Sequence, residues 1–267
     1  MLAALPGLFA QDSRFRPAPV FVAGAKPDQN EGARILGDFR QAGIAGTHWL
    51  SFELRVLPRK GNERVVEGDL FGTLGTQGPL TRLSIGGERW LIQSGPTAAA
   101  WTAADGAVRP ATTAETLQSV AGTDFTLFDL QMPFLHWTDF VYEGLAKVRS
   151  RPAGRFLLYP PPDFAPARPD LTAVRVFIDT QFQALVQVEL LGRNGQSTKS
   201  VTLIDLKKVG EQWLVKSVDL RNHLTRDKTR LTFKAVALDL VLPDDTFSPP
   251  QLTHPAPVIP REKIHGL

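Results

Sequence analysis

Residues 173–190 read AVRVFIDTQFQALVQVEL, and this pattern decides the fold class. Apolar side chains occupy at least every second position in 174–178 and again in 186–190, and residues 179–182 interrupt the alternation. A period of two places successive side chains on opposite faces of an extended strand. This stretch therefore predicts two antiparallel strands joined by a turn.

The pattern continues to residue 247 as a series of short strands. Gly192-Arg193-Asn194-Gly195 and Gly210-Glu211 predict two further turns, because Gly and Asn tolerate the positive φ that tight hairpins require. The extended segments that follow these turns are 201–204, 213–215, 218–220 and 231–235. Residues 172–247 therefore predict a meander of antiparallel strands.

The chain before residue 172 adds a helix and more short strands. Asp28 is a predicted N-cap, and Ile35, Leu36 and Phe39 share one face of a helix that ends near Ala42. Short strands separated by turn residues are predicted next, at 49–57, 65–74, 80–85, 90–93 and 97–102. Strands at this spacing favour a large curved antiparallel sheet.

Residues 113–136 break the two-residue rhythm. Their apolar side chains fall at mixed spacings and Pro133 interrupts them, which favours short helices. A further pair of strands is predicted at 139–148 and 155–159. The chain is therefore predicted to be an α+β protein built mainly on one antiparallel sheet.

The composition is that of a soluble globular protein, with 43% hydrophobic and 21% charged residues in a chain of 267. Thirty Lys and Arg residues against 27 Asp and Glu give a net charge of +3, and the scattered basic residues argue against nucleic-acid binding. No stretch approaches the roughly 20 apolar residues of a membrane-spanning helix. The lack of cysteine excludes disulfides, thiolate metal sites, a cysteine nucleophile and an acylated lipobox cysteine.

The two ends of the chain differ from its body. Residues 1–10 are almost entirely apolar or small, which predicts the truncated remnant of a signal peptide cleaved after Ala10, and therefore export. The Pro-rich residues 250–267 predict a loosely held tail. Residues 11–249 are then expected to form a single domain.

Four segments occur in an order that is more specific than any one of them. They are GTDFTLFDL at 122–130, the alternating strands at 174–190, DLKKVGEQWLVK at 205–216 and LPDDTFSP at 242–249. Their residues and order resemble those of periplasmic outer-membrane lipoprotein-sorting proteins, the LolA-like lipoprotein-carrier superfamily. The resemblance points to an uncharacterised branch, and it does not specify the cargo.

This resemblance implies a strongly curved antiparallel sheet, an open or half β-barrel, whose concave face is covered by the helices at 28–42 and 113–136. It also implies an exported, monomeric, non-enzymatic carrier without a cofactor. Such a carrier would hold lipoprotein acyl chains or another lipidic ligand in a hydrophobic cavity during transport through the periplasm. An envelope protein could act as its donor or acceptor.

Two other classes of function stay open. An envelope protein-interaction or stress-sensor module would use the same architecture to bind a polypeptide. An enzyme acting on a lipid or envelope polymer would need His, Asp or Ser side chains that converge in a cleft. A mostly filled cavity with an exposed apolar patch would favour the interaction module.

The sequence predicts no catalytic residue and no metal site. Ser84 and Ser94 lack the leading Gly of a nucleophile elbow, and the five histidines are far apart without a His-Glu-x-x-His motif. Among the histidines, His136 with Asp139 is the least poor pair, and Glu53 with Glu67 or Asp239 with Asp244 could be offered as acid/base pairs. These residues are more typical of a solvated protein surface.

Apolar residues on the strands and on the 113–136 insertion are the candidates for lining a cavity. A curved half-barrel has more inward apolar positions than a flat core needs, so some of them could face a ligand. The candidates are Trp90, Trp101, Leu117, Val120, Phe125, Phe128, Val186, Val188, Trp213 and Phe233.

Overall fold

The computed structural model describes residues 15–104 and 106–267. The predicted signal-peptide remnant at 1–10 lies outside the described residues. No helix in the described part of the chain is long and apolar enough to cross a lipid bilayer.

Fourteen strands make up one sheet within the described ranges. They are β1 His48–Leu57, β2 Arg64–Gly75, β3 Gly78–Ile85, β4 Glu88–Gln93, β5 Ala99–Ala104, β6 Ala107–Pro110, β7 Phe140–Val148, β8 Arg151–Leu158, β9 Ala173–Asp179, β10 Ala184–Leu191, β11 Ser197–Val209, β12 Gln212–Asn222, β13 Lys228–Ala237 and β14 His265–Gly266. Twelve of these strands overlap predicted ones, whereas β6 and the short β14 were not predicted.

The α-helices are few and short. They are α1 Gln29–Gln41, α2 Thr113–Thr116 and α3 Leu127–Gln131, and 3-10 helices occur at Pro133–His136, Asp244–Phe247, Pro249–Thr253 and Arg261–Lys263. The predicted helix at 28–42 and the predicted short helices at 113–136 are both present.

The sheet is an open antiparallel meander with one long-range pairing. Its strand order is β6-β5-β4-β3-β2-β1-β13-β12-β11-β10-β9-β8-β7, and β14 pairs with β13 beside this path. The first and last long strands therefore meet in the middle, with Leu54 opposite Leu231. Bulges at Ser51/Phe52 and Tyr142/Gly144 bend the strands further. The predicted fold class, a curved open antiparallel sheet covered by helices, is confirmed.

Helix α1 covers the β7–β10 half of the concave face. The Asp28 side chain caps it by accepting a hydrogen bond from the Asn30 amide at 2.9 Å. Its buried face presents Ile35 and Leu36, and Gly32 lies so close to Tyr142 that an added Cβ would come within 2.4 Å of the tyrosine Cβ. A glycine at this position lets the helix approach the sheet closely.

The 113–136 insertion contains two capping boxes, each with a threonine N-cap and an acidic residue three positions later. Thr112 pairs with Glu115 at the start of α2, and Thr126 pairs with Asp129 at the start of α3. Met132 ends α3 in the left-handed region at φ 51°, and a 3-10 helix follows. The mixed apolar spacing of this segment reflects helices of only four and five residues.

Two large apolar clusters lie on the concave side, and the insertion belongs to both. Phe128 and Phe134 pack with α1 and with residues of β8–β10 such as Phe156. Phe125 and Leu127 pack with β1, β3, β4, β12 and β13. The insertion therefore bridges the two halves of the sheet.

Residues 15–22 run along the β7–β9 edge of the sheet. The Val20 amide donates to Glu143 Oε1 at 2.8 Å, and the Val22 amide donates to the Glu143 carbonyl at 2.9 Å. Glu143 is fully buried and also pairs with Arg155 and Arg175, at 2.8 and 2.9 Å. These partners satisfy a carboxylate that would otherwise be costly to bury.

Part of the Pro-rich segment 250–267 is docked on the body. Leu252 is buried, and Arg82 donates to the His254 carbonyl at 2.7 Å. Further on, β14 pairs with β13, and Leu267 joins an apolar cluster with Leu50 and Leu214. The division at residue 249 between domain and tail stays a prediction.

Candidate functional site

A cavity of about 530 Å³ lies under the concave face, between the sheet, the C-terminal end of α1 and the insertion. Its walls come from β1–β4 and β10–β13, together with residues 39–44 and 182–185. This volume falls within the range of roughly 300–1,000 Å³ that ligand pockets usually have.

The cavity wall is almost entirely apolar. Strand β1 contributes Leu50, Phe52 and Leu54, which alternate along the strand and so face the same side. Facing strands add further leucine, valine and phenylalanine side chains, and Phe52 meets Phe233 edge to face at 6.0 Å between ring centroids. Four polar side chains interrupt this lining: Thr81, Ser94, Asp129 and Gln183.

Two aromatic side chains stand where the cavity meets solvent. Trp213 lines the cavity although 52% of its surface is exposed, and it meets Phe182 edge to face at 5.7 Å. Phe182 belongs to the β9–β10 turn, which the buried carboxylate of Asp179 shapes by accepting the amides of Gln181 and Phe182 at 2.8 and 3.0 Å. The Arg151 guanidinium lies 5.0 Å from the Phe182 ring centroid. These residues form the mouth of the cavity.

Asp129 is the one ionisable side chain among the lining residues. It is 4% exposed, and Lys199 Nζ donates to its Oδ2 at 2.7 Å. Lys199 Nζ also donates to the Asp124 carbonyl at 2.9 Å, while Asp124 Oδ2 accepts from the Thr229 hydroxyl at 2.9 Å. This network ties the insertion to β11 and β13.

The ten predicted ligand-binding residues divide into two groups. Phe125, Val188, Trp213 and Phe233 line the cavity. Their role in binding stays a prediction.

The other six predicted residues are not among the lining residues. Phe128 belongs to the apolar cluster that includes Ile35 and Leu36 of α1, and Leu117 packs against that cluster. Val120 belongs to the cluster around Phe52 and Leu54, and Trp90 packs against it. Val186 lies in a third cluster with Phe177, and Trp101 pairs across strands with Leu91 and Pro110. Their role in binding also stays a prediction, because alternation along a strand does not by itself identify the concave face.

Sequence reasoning missed the contribution of α1 and of the β9–β10 turn to the cavity. Phe39 and Ile44 line it from the end of the helix, and Phe182 and Leu185 line it from the turn. Phe39 was predicted on the apolar face of the helix, so a signal existed for it. No local pattern distinguishes Phe182, since its position depends on how the Asp179 carboxylate folds the turn.

The alternative catalytic pairs do not form a site. Glu53 and Glu67 are directly opposite on β1 and β2, but neither lines the cavity, and Glu53 lies 3.4 Å from Lys234 Nζ. Asp139 pairs with an arginine of the N-terminal segment, and burial followed by the nearby Arg40 charge lowers the pKa of His136. In the part of the chain that the structure describes, no histidine lines the cavity and no three His, Asp or Glu side chains cluster as metal ligands would.

Solved structures with the same fold include lipoprotein-sorting proteins. A putative outer membrane lipoprotein-sorting protein domain from Vibrio parahaemolyticus matches with a TM-score of 0.71 at 16% identity, covering 84% of this chain and 97% of that one. A DUF1329 family protein from Desulfovibrio piger matches with a TM-score of 0.71 at 12% identity, covering 85% and 100%. A LolA superfamily protein from Nitrosomonas europaea matches with a TM-score of 0.62 at 11% identity, covering 81% and 96%.

At the level of sequence, no curated protein matches this chain. A model of an uncharacterized protein family matches residues 100–254, which is more than half of the chain. The matched residues include the insertion, strands β7–β13 and the first five residues of the segment that docks on the body. The chain therefore belongs to this uncharacterized family, a branch of proteins with the LolA-like fold.

Proposed function

We propose that this protein is a non-enzymatic carrier that holds lipoprotein acyl chains or another lipidic ligand in its cavity. The observation that carries the proposal is an almost entirely apolar cavity of about 530 Å³ between the sheet, the end of α1 and the insertion. Protein interiors are normally close-packed, with few voids larger than a water molecule. A space of this size with an apolar wall fits an apolar ligand.

Burial alone supplies the free energy that such a ligand needs. Each methylene group moved from water into an apolar environment contributes about 0.8 kcal/mol. Side chains that border an unfilled space lose dispersion contacts, and an acyl chain would restore them. No catalytic group is required for this function.

The mouth offers a route for the ligand. Trp213 borders both solvent and the cavity, and its contact with Phe182 joins strand β12 to the β9–β10 turn. The insertion is instead tied to the sheet by Lys199 and by Gln131, whose side-chain amide donates to the carbonyls of Gln93 and Ala99 at 2.8 and 2.9 Å. Exchange of ligand is therefore expected through the mouth.

The apolar residues 1–10 support an exported protein that works in the bacterial periplasm. A carrier in this compartment would take its ligand from one envelope component and deliver it to another. We place it there as a monomer, with a donor or acceptor protein of the envelope as its transient partner.

A cavity-filling substitution tests the proposal. Val218→Trp places a large ring in the space that Val218 borders, whereas Arg221→Trp adds the same ring to an exposed position of the same strand. The neutral fluorophore 1-N-phenylnaphthylamine would be titrated into both variants and the parent protein. We expect saturable binding to the parent and to Arg221→Trp, and weakened binding to Val218→Trp.

Native mass spectrometry of protein purified from an envelope fraction complements this titration. Co-purifying lipid in the parent protein that is reduced in Val218→Trp supports the carrier. Absence of both lipid and fluorophore binding in the parent protein contradicts it.

One feature favours a second candidate function, the binding of a polypeptide. Strands β12 and β13 pair only between 217–221 and 228–232, and β14 adds to β13 beyond this point. An extended segment from another protein could displace β14 and pair with β13 in the same way. This candidate would be favoured if a variant that does not bind the fluorophore still captures an envelope protein, and if changes at the β13 edge abolish that capture.

A further inference from the structure

The carboxylate of Asp129 uses only one of its oxygens within the protein. Oδ2 accepts hydrogen bonds from the Thr126 amide at 2.9 Å, the Thr126 hydroxyl at 2.8 Å and Lys199 Nζ at 2.7 Å. Among the residues that the structure describes, Oδ1 has no hydrogen-bond partner, although Asp129 is 96% buried and lines the cavity. Oδ1 is not sealed off from the surrounding space, so this oxygen can accept a hydrogen bond from a donor outside the protein.

The second capping box of the insertion shows that this arrangement is not required for the helix. Glu115 Oε2 accepts from the amide and the hydroxyl of Thr112, at 2.8 and 2.9 Å, as Asp129 Oδ2 does with Thr126. Its other oxygen, Oε1, accepts from Arg109 at 2.5 Å. The two carboxylates therefore play the same structural role, but of the two only Asp129, which lines the cavity, has an oxygen without a partner among the described residues.

Two hydroxyl groups add to the polar character of the same space. Thr81 and Ser94 line the cavity, and within the described ranges neither side-chain hydroxyl has a hydrogen-bond partner. Thr81 lies on β3, and Ser94 directly follows β4, whose Ile92 pairs with Thr81. Ligand pockets typically combine an apolar wall with a few polar groups that fix the orientation of the ligand.

We propose that Asp129 makes the cavity selective for apolar ligands that carry a hydrogen-bond donor, with long-chain alcohols as the chemical class. This inference rests on the proposed carrier function. A ligand hydroxyl that reaches Asp129 donates to Oδ1 and satisfies it, while the alkyl chain fills the apolar remainder. Lys199 holds the carboxylate in place through Oδ2 and leaves Oδ1 to the ligand.

A pair of ligands that differ by one methyl group tests this selectivity. Dodecan-1-ol carries a hydroxyl donor, and its methyl ether, 1-methoxydodecane, has the same chain and an oxygen but no donor. Each would displace 1-N-phenylnaphthylamine from the parent protein. Because only the alcohol can donate a hydrogen bond to the charged carboxylate, we expect it to displace the fluorophore at a concentration about tenfold lower than the ether does.

The same displacement is then measured on three variants. Asp129→Leu combined with Lys199→Met replaces the ion pair by apolar side chains, a change that folded proteins often tolerate, and we expect equal displacement by both ligands. Asp129→Asn retains an acceptor for Thr126 but removes the charge, and we expect a reduced preference. Asp219→Asn is the control, because Asp219 is ion-paired with Arg230 and Lys228 but is not a lining residue.

The outcomes separate this inference from the proposed function. Displacement by both ligands at equal concentrations in the parent protein, or a preference that persists in Asp129→Asn and the double variant, overturns the selectivity and leaves the carrier intact. Failure of the fluorophore and both ligands to bind the parent protein overturns the carrier and the selectivity together. A preference that is lost in the Asp129 variants and kept in Asp219→Asn supports both.

Discussion

The two halves of the concave face come from one sheet, yet only one of them is filled. On the β7–β10 half, Tyr142, Phe156 and Leu158 pack under α1 and are at most 1% exposed. On the other half, leucines such as Leu54 and Leu83 are shielded from solvent but border the cavity. Both halves present similar apolar side chains, so the difference lies in the helices that cover them.

The length of the cover explains why a cavity remains. A helix of 13 residues such as α1 is about 20 Å long, because each residue adds about 1.5 Å. Thirteen paired strands about 4.8 Å apart form a much wider surface, even when it is curved. The insertion bridges the middle with very short helices, so the space beyond the end of α1 stays unfilled. The candidate function follows from this incomplete cover.

The largest expected effect compares one phenylalanine from each half. Phe156→Ala should lower the free energy of unfolding by about 3–5 kcal/mol, because it opens a void in a closely packed cluster. Phe233→Ala should lower it by less, since Phe233 already borders the cavity. Urea denaturation of the two variants measures both values. Equal losses would contradict the contrast between a packed and an open half.

A smaller effect comes from two glycines of the same helix. Gly32→Ala forces a methyl group against Tyr142 and should destabilise the protein by about 1–3 kcal/mol. Gly37→Ala is the matched control, because nothing lies within 4 Å of the added Cβ, and it should stabilise the helix by up to about 1 kcal/mol. Thermal unfolding shows whether each substitution lowers or raises the Tm of the protein. A stable Gly32→Ala protein would mean that α1 lies further from β7 than the structure places it.

The smallest effect concerns the N-terminal segment along the filled half. The hydrogen bond from Arg16 holds the pKa of Asp139 below its ordinary value of about 3.9. A depressed pKa in the folded state gives stability that is present above about pH 4 and is lost as the pH falls through the folded value. Both side chains are 54% exposed, so solvent screening limits the contribution to less than about 1 kcal/mol.

The variant Asp139→Asn isolates this contribution. Its unfolding free energy should lie slightly below that of the parent protein at pH 7, and the difference should vanish at low pH. Asp244→Asn serves as the control, because Asp244 is exposed and has no ion pair within the described residues. A difference for Asp139→Asn that is constant with pH would show that the Arg16 pair is not its source.

Local patterns predicted the strands well and the cavity only in part. The alternation at 174–178 and 186–190 correctly indicated β9 and β10, because each apolar residue there faces a buried layer. The same alternation could not say which face of β12 is concave, and of the five tryptophans only Trp213 reaches the cavity. Trp90 and Trp101 were equally good candidates by composition, but neither is among the residues that line the cavity.

The sequence by itself determined an antiparallel meander and two helical segments, because periodicity and turn residues are local properties. Only the tertiary structure determines which side chains line the cavity. The set of lining residues depends on the pairing of β1 with β13, which are about 180 residues apart along the chain, and on where α1 ends. The position of Asp129 is a feature of the same kind, since the capping box with Thr126 is a local pattern, whereas its place in the cavity wall depends on the fold.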